Sequence, residues 1–177
     1  MVPLYPCTMK RTLGLAMLVV VLASCSSGSA APPVAPAAEA CTSALCMDVP
    51  AGWDGEVGPT YIAFNHETAP SDTFLTANAV DMESIVTAAG GSWPATTEDV
   101  VVAFWSLLEE VDEGRLIRTE RMVGGAIRSW GSHSTGDMWY LLVPVDGSQG
   151  IGVEIRAPND SWESHADLVF PSVRPSQ

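Results

Sequence analysis

Apolar residues recur along the chain in two rhythms. Over residues 45–49, 60–64 and 73–80 they come in short runs rich in β-branched and aromatic side chains. Gly, Pro, Asn or Asp closes each run, so all three are predicted strands. The rhythm then turns helical. Val100, Phe104, Leu107, Leu108 and Val111 fall at i, i+4, i+7, i+8 and i+11, a single apolar stripe. Pro94 precedes this helix, Thr96 and Asp99 have capping-box spacing, and Gly114 is placed to end it. Four more strands follow, over 115–123, 126–132, 137–145 and 150–156. The turn residues Gly124-Gly125, Ser134-Thr135-Gly136 and Asp146-Gly147-Ser148 separate them. Connections this short make an antiparallel meander. A last helix is predicted over 161–169. Ser161 and Ser164 are at cap spacing, Pro171 stops it, and Trp162, Ala166, Val169 and Phe170 supply its buried side.

The order is three strands, a helix, four strands and a helix. This is an α+β pattern in which helices must cover the apolar faces of an antiparallel sheet. No internal repeat is visible. Hydrophobic residues make up 47% of the 177, enough for a core.

The first forty residues do not belong to that pattern. Lys10 and Arg11 precede a ten-residue apolar run at 13–22. That is the length of a signal-peptide core and too short to span a bilayer. Met9-Lys10-Arg11 has the form of a signal opening, which makes Met9 a candidate start. Leu22-Ala23-Ser24-Cys25 follows at once. It resembles the lipobox of bacterial lipoproteins: an aliphatic residue, two small residues, then Cys. The resemblance implies diacylglycerol on the Cys25 thiol and cleavage before Cys25. The chain then divides into a signal peptide (1–24), the lipidated Cys25 with an Ala/Pro/Ser linker (25–40), and one domain (41–177). The alternative is an ordinary secretory signal with an accidental Cys. Residues 26–40 have no hydrophobic period and read as a disordered spacer.

Charge narrows the partners. The formal net charge is −13, and removing Lys10 and Arg11 with no acid beside them takes it to −15. Neutralising phosphates needs Lys and Arg, so nucleic acid is excluded as a partner. The same charge keeps the domain off anionic lipid, which leaves attachment to acyl chains, and two or more are needed to hold stably. The expected location is the extracytoplasmic face of a cell membrane, lipid-anchored.

Four Cys are present. Cys7 lies in the removed segment and Cys25 carries lipid. Cys41 and Cys46 remain, and outside the cytoplasm they should pair, pinning the end of the linker to the first strand. Cys-x4-Cys without companion ligands does not suggest a metal, and no cofactor is implied.

The strand running into Val49-Pro50-Ala51-Gly52-Trp53 resembles the start of PsbP-like domains, and the close Phe170-Pro171-Ser172-Val173-Arg174-Pro175 is similar to that family's end. The early hairpin, long helix and meander agree. The resemblance implies an antiparallel sheet between helices. It also implies an accessory or binding role, since the family includes a photosystem subunit and lipoproteins of high-GC Gram-positive bacteria.

Chemistry-bearing residues are sparse. His66, His133 and His165 are spread along the chain without metal-ligand spacing, so each is expected to be solvated or hydrogen-bonded. Gly131-Ser132-His133-Ser134 is not a nucleophile elbow, because a Ser beside a His on a strand points to the opposite face. Asp54 and Glu56 share strand parity beside Trp53, as a glycosidase pair would, but two acids among 21 carry little weight. Glu109, Glu110, Asp112 and Glu113 crowd the helix C-terminus, against the macrodipole. They are either the scatter of an acidic protein or a partner-facing patch.

The six Trp are the most unusual feature. Most should pack in the core, with Trp105 toward the edge of the helical stripe. Trp130 shares strand parity with Arg128, and Trp93 sits in the loop Gly90-Gly91-Ser92-Trp93-Pro94. Trp93, Arg128 and Trp130 are therefore the expected ligand-binding residues. Two functions follow: a non-catalytic binding module for an envelope protein, lipid or glycan, or a small envelope hydrolase with a spatially assembled site.

Overall fold

The computed structural model describes residues 38–69 and 72–176. The expectations for the signal segment, Cys25 and residues 26–37 lie outside the described residues. Within them the chain runs β1 (Ala38–Cys41), β2 (Leu45–Val49), β3 (Trp53–Val57), β4 (Tyr61–His66), β5 (Phe74–Asp81), α1 (Met82–Ala88) and α2 (Thr97–Glu110). It continues through β6 (Gly114–Arg121), β7 (Ile127–His133), β8 (Gly136–Asp146), β9 (Gln149–Ala157), α3 (Glu163–Val169) and β10 (Arg174–Pro175).

Seven strands form one antiparallel sheet in the order β3-β4-β5-β9-β8-β7-β6. A smaller antiparallel sheet has the order β1-β2-β10. The large sheet is covered on both faces. Helices α1 and α2 lie on one side, over a core that includes Val86, Val101, Trp105, Ile127, Tyr140 and Leu142. The small sheet and α3 lie on the other, over Leu45, Met47, Ile62, Leu75, Trp139, Ile155 and Ala166. Strand β8 is buried on both faces from Met138 to Leu142, which is why its sequence is a continuous apolar run rather than an alternation. Each fully buried aliphatic side chain contributes roughly 1.5–3 kcal/mol.

The α+β expectation holds, and the fold is an antiparallel sheet between covering layers. Four elements, β1, β3, α1 and β10, differ from the sequence reading. Ala38, Glu39 and Ala40 are not spacer but belong to β1, paired with β2. Strand β3 and helix α1 were not expected. Asp81 caps α1, its side chain accepting from the Glu83 N–H, and Met82 and Val86 are its buried residues.

Helix α2 has the expected capping box, with Thr96 accepting from the Asp99 N–H and Asp99 from the Thr96 N–H. Its buried face is rotated from the expected stripe. Val100, Val101 and Trp105 are buried, while Val111 is 63% exposed and lies past the helix end as its C-cap. Gly131 on β7 explains the rotation: a Cβ there would stand 2.5 Å from Trp105 Cη2, so the missing side chain is the hole the indole fills. Ser161 is not a cap: it lies in a short 3-10 turn over Asp160–Trp162 that leads into α3, and Asn159 caps that turn, its side chain accepting from the Ser161 N–H.

Candidate functional site

In the small sheet, Cys41 and Cys46 face each other across β1 and β2 and form the expected disulfide, with Cα atoms 4.1 Å apart. Arg174 of β10 pairs with Glu39 of β1, and the Ser172 hydroxyl accepts from the Asp48 N–H. Residues 172–174 therefore hold β1 and β2 together. The Glu39 carboxylate comes within 4.8 Å of both sulfurs. An S–S bond leaves neither thiolate that a metal would need.

Between this small sheet and the edge of the large one runs a groove of about 490 Å³, set by β1, the Val49-Pro50-Ala51 turn, Trp53, Val57 and Phe64. Its lining is mostly apolar. Val57 is 46% exposed, and Phe64 pairs with Gly55 on the same side of the sheet.

Trp53 forms one wall of that groove and reaches a buried aromatic cluster behind it. Its Nε1–H donates to His165 Nδ1 at 3.0 Å. His165 is thus held with Nδ1 unprotonated. His66, opposite Trp53 on β4, packs edge-on to it at 5.3 Å and to Trp162 at 4.9 Å. The rings of His66 and His165 are 5.9 Å apart. Burial lowers the His66 pKa, with Glu67 pulling weakly the other way. The expectation of a hydrogen-bonded state is met at His165, but the meeting of two His in the core was missed. The signal was partly there: Trp162, His165, Ala166 and Val169 have the spacing of one helix face.

Arg128 and Trp130 share a face of β7, as strand parity requires, and that face meets α3. The Arg128 guanidinium lies 3.0 Å from Glu163 and 2.6 Å from Asp167, its side chain 13% exposed, and stacks on Phe170. Arg118, which sequence reasoning overlooked, pairs with Glu163 and lies over the Trp130 ring at 5.2 Å. Trp93 is elsewhere. It packs with the α1 and α2 core on the opposite face of the sheet. Of the three expected ligand-binding residues, the structure brings Arg128 and Trp130 together and places Trp93 apart from them. The loop between α1 and α2 and the outward side of β7 are separated by the sheet itself.

A third region gathers Glu109, Asp112 and Glu113 with Arg115 and His133 in a depression of about 400 Å³. His133 Nδ1 is engaged within its own turn by the Thr135 N–H and hydroxyl. Burial lowers the His133 pKa, Arg156 adds to this, and Glu113 opposes it. Asp54 and Glu56 are exposed on β3, and Glu56 accepts from the Tyr61 hydroxyl. Among the described residues, no helix is long and apolar enough to cross a membrane.

No protein-family model and no curated protein matches the chain. Solved structures do. The solution structure of cyanobacterial PsbP (CyanoP) from Synechocystis sp. PCC 6803 gives a TM-score of 0.51 at 18% identity, covering 88% of this chain and 99% of that one. LpqN of Mycobacterium tuberculosis, described as involved in cell envelope biogenesis, gives 0.44 at 13%, covering 82% and 87%. A protein from Bacteroides thetaiotaomicron VPI-5482 gives 0.38 at 13%, covering 75% of this chain and 45% of its own. The likeness to CyanoP shows that the fold is PsbP-like. It carries no statement about a ligand.

Proposed function

We propose that this chain is a lipid-anchored, non-catalytic binding module on the extracytoplasmic face of a cell membrane, taking an envelope protein, lipid or glycan. Three observations support it. Lys10-Arg11, the apolar run and Leu22-Ala23-Ser24-Cys25 have the order of a lipoprotein signal. The remaining two Cys are paired, as suits an oxidising compartment. The third carries the reading: an apolar groove opens against β1, the strand that leads in from the tether. A groove at the root of a tether is presented to whatever shares the membrane with the anchor.

The hydrolase reading has one feature in its favour, the placing of His133 beside Ser132, Ser134 and the acids of the α2 end. Its Nδ1 is taken within the turn, so the ring is not oriented by an acid as a general base would be.

Crosslinking in intact cells, followed by pull-down from detergent-solubilised membranes, tests the proposal. The wild-type chain should retain specific partners that a Cys25→Ala form loses, while Val57→Asp, in the groove, loses them without changing membrane attachment. Equal recovery from all three forms would refute it.

A further inference from the structure

The large sheet has two outer strands, and they are finished differently. On β6 a bulge breaks the register between Leu116 and Arg118, and Arg118 and Arg121 are tied to Glu163 and Glu98. A bulge that breaks the register and twists the outer strand away is one way sheets close an edge. Strand β3 has no such break. Its register with β4 is continuous from Trp53↔His66 to Val57↔Ile62, and residues 54–57 are exposed. Among the described residues, its outer side is unpaired in the large sheet.

The two faces of β3 differ in chemistry. Asp54 and Glu56 project to one side, and no cationic side chain pairs with either among the described residues. Trp53, Gly55 and Val57 project to the other, where Phe64 and the apolar groove lie. A Cβ on Gly55 would stand 2.1 Å from the Ala63 carbonyl oxygen, so β3 lies close against β4 there.

We propose that the β3 edge takes up an extended segment of a partner protein in which cationic and apolar residues alternate. An added strand satisfies the free backbone groups. Alternation then sends every second side chain toward Asp54 and Glu56 and the others toward the groove beside Val57 and Phe64. Charge selects the partner. A second copy would bring the same acids to the same edge, and like charges directly opposite destabilise a strand pair. The inference deepens the binding-module reading by naming its ligand class. It does not depend on lipidation, so loss of the anchor and loss of this edge site register in different assays.

The test is an amide NMR titration of the full chain carrying Cys25→Ala. The probes are three capped heptapeptides, alternating Lys with Val, Glu with Val, and Lys with Ser. The Lys–Val peptide should give saturable shifts confined to β3, β4 and β1, about tenfold weaker in Asp54→Lys/Glu56→Lys. The Glu–Val and Lys–Ser peptides should each bind at least about tenfold more weakly than Lys–Val. Val57→Glu reads the groove side independently if the double variant does not fold. Equal binding of Lys–Ser, shifts centred on Glu109 and Glu113, an unaffected charge-reversed variant, self-association without peptide, or no binding would each overturn the proposal.

Discussion

Trp53 Nε1 donates to His165 Nδ1 across 3.0 Å, joining the edge strand β3 to the closing helix α3. Both residues are buried, at 7% and 0% exposure. Trp53→Phe removes the donor and leaves a buried ring nitrogen without it, a loss of about 1–3 kcal/mol before any packing change. Urea unfolding of the variant should show a lowered midpoint with an unchanged slope. A midpoint equal to wild type would mean that the bond does not hold β3 to α3.

The histidines set an acid limit on stability. Burial holds the His66 and His133 pKa values below the ordinary 6.5. The unfolded chain therefore binds protons more readily than the folded one as pH falls through 6.5. Stability is full above that value and declines below it, toward the lowered folded pKa values. Burial raises the Glu154 and Asp137 pKa values, an effect of the opposite sense that occupies the window reaching upward from their ordinary 4.5 and 3.8 to the raised folded values. Between about pH 7.5 and about pH 6 the histidines are expected to dominate, so the urea midpoint should fall with pH, and less steeply in His66→Gln. A flat or rising profile would contradict the assignment.

Gly131 is the hole that receives Trp105. Gly131→Ala places a methyl 2.5 Å from Trp105 Cη2 and 2.3 Å from the Arg115 carbonyl oxygen. Overpacking of this kind costs about 1–3 kcal/mol. Near-ultraviolet circular dichroism should show a changed Trp signal along with a lower thermal midpoint. Retention of both would show that the ring has room to move.

The disulfide closes a loop of six residues. By chain entropy it contributes about 2 kcal/mol. Reduction, or Cys41→Ser/Cys46→Ser, should lower the thermal midpoint and raise hydrogen exchange in β1 and β2 while β8 and β9 keep their protection. Uniform loss of protection across the domain would place the bond in the global folding unit instead.

Much of this architecture was legible in the sequence because local rules fix it. Thr96 and Asp99 announce the start of α2, and the Gly- and Asp-containing turns mark the meander. What escaped was set by other parts of the chain. Strand β3 contains Gly55 and two acids, a poor strand by propensity, and it is a strand because β4 pairs with it. The buried face of α2 turned toward Trp105 because of a glycine on a strand not yet placed against it. Parity correctly put Arg128 beside Trp130, but it does not say which helix covers that face. The ion pairs to α3, and the separation of Trp93, were therefore invisible. The same holds for His66 and His165, each unremarkable alone and joined only through the packing of α3 on β3 and β4.

Cys25 is the residue that would anchor the module, and the intact mass of the exported chain tests this directly. Protein extracted from membranes with detergent should begin at Cys25 and carry diacylglycerol on its thiol. A bare thiol at that position, or an N-terminus produced by cleavage elsewhere, would contradict the anchored module.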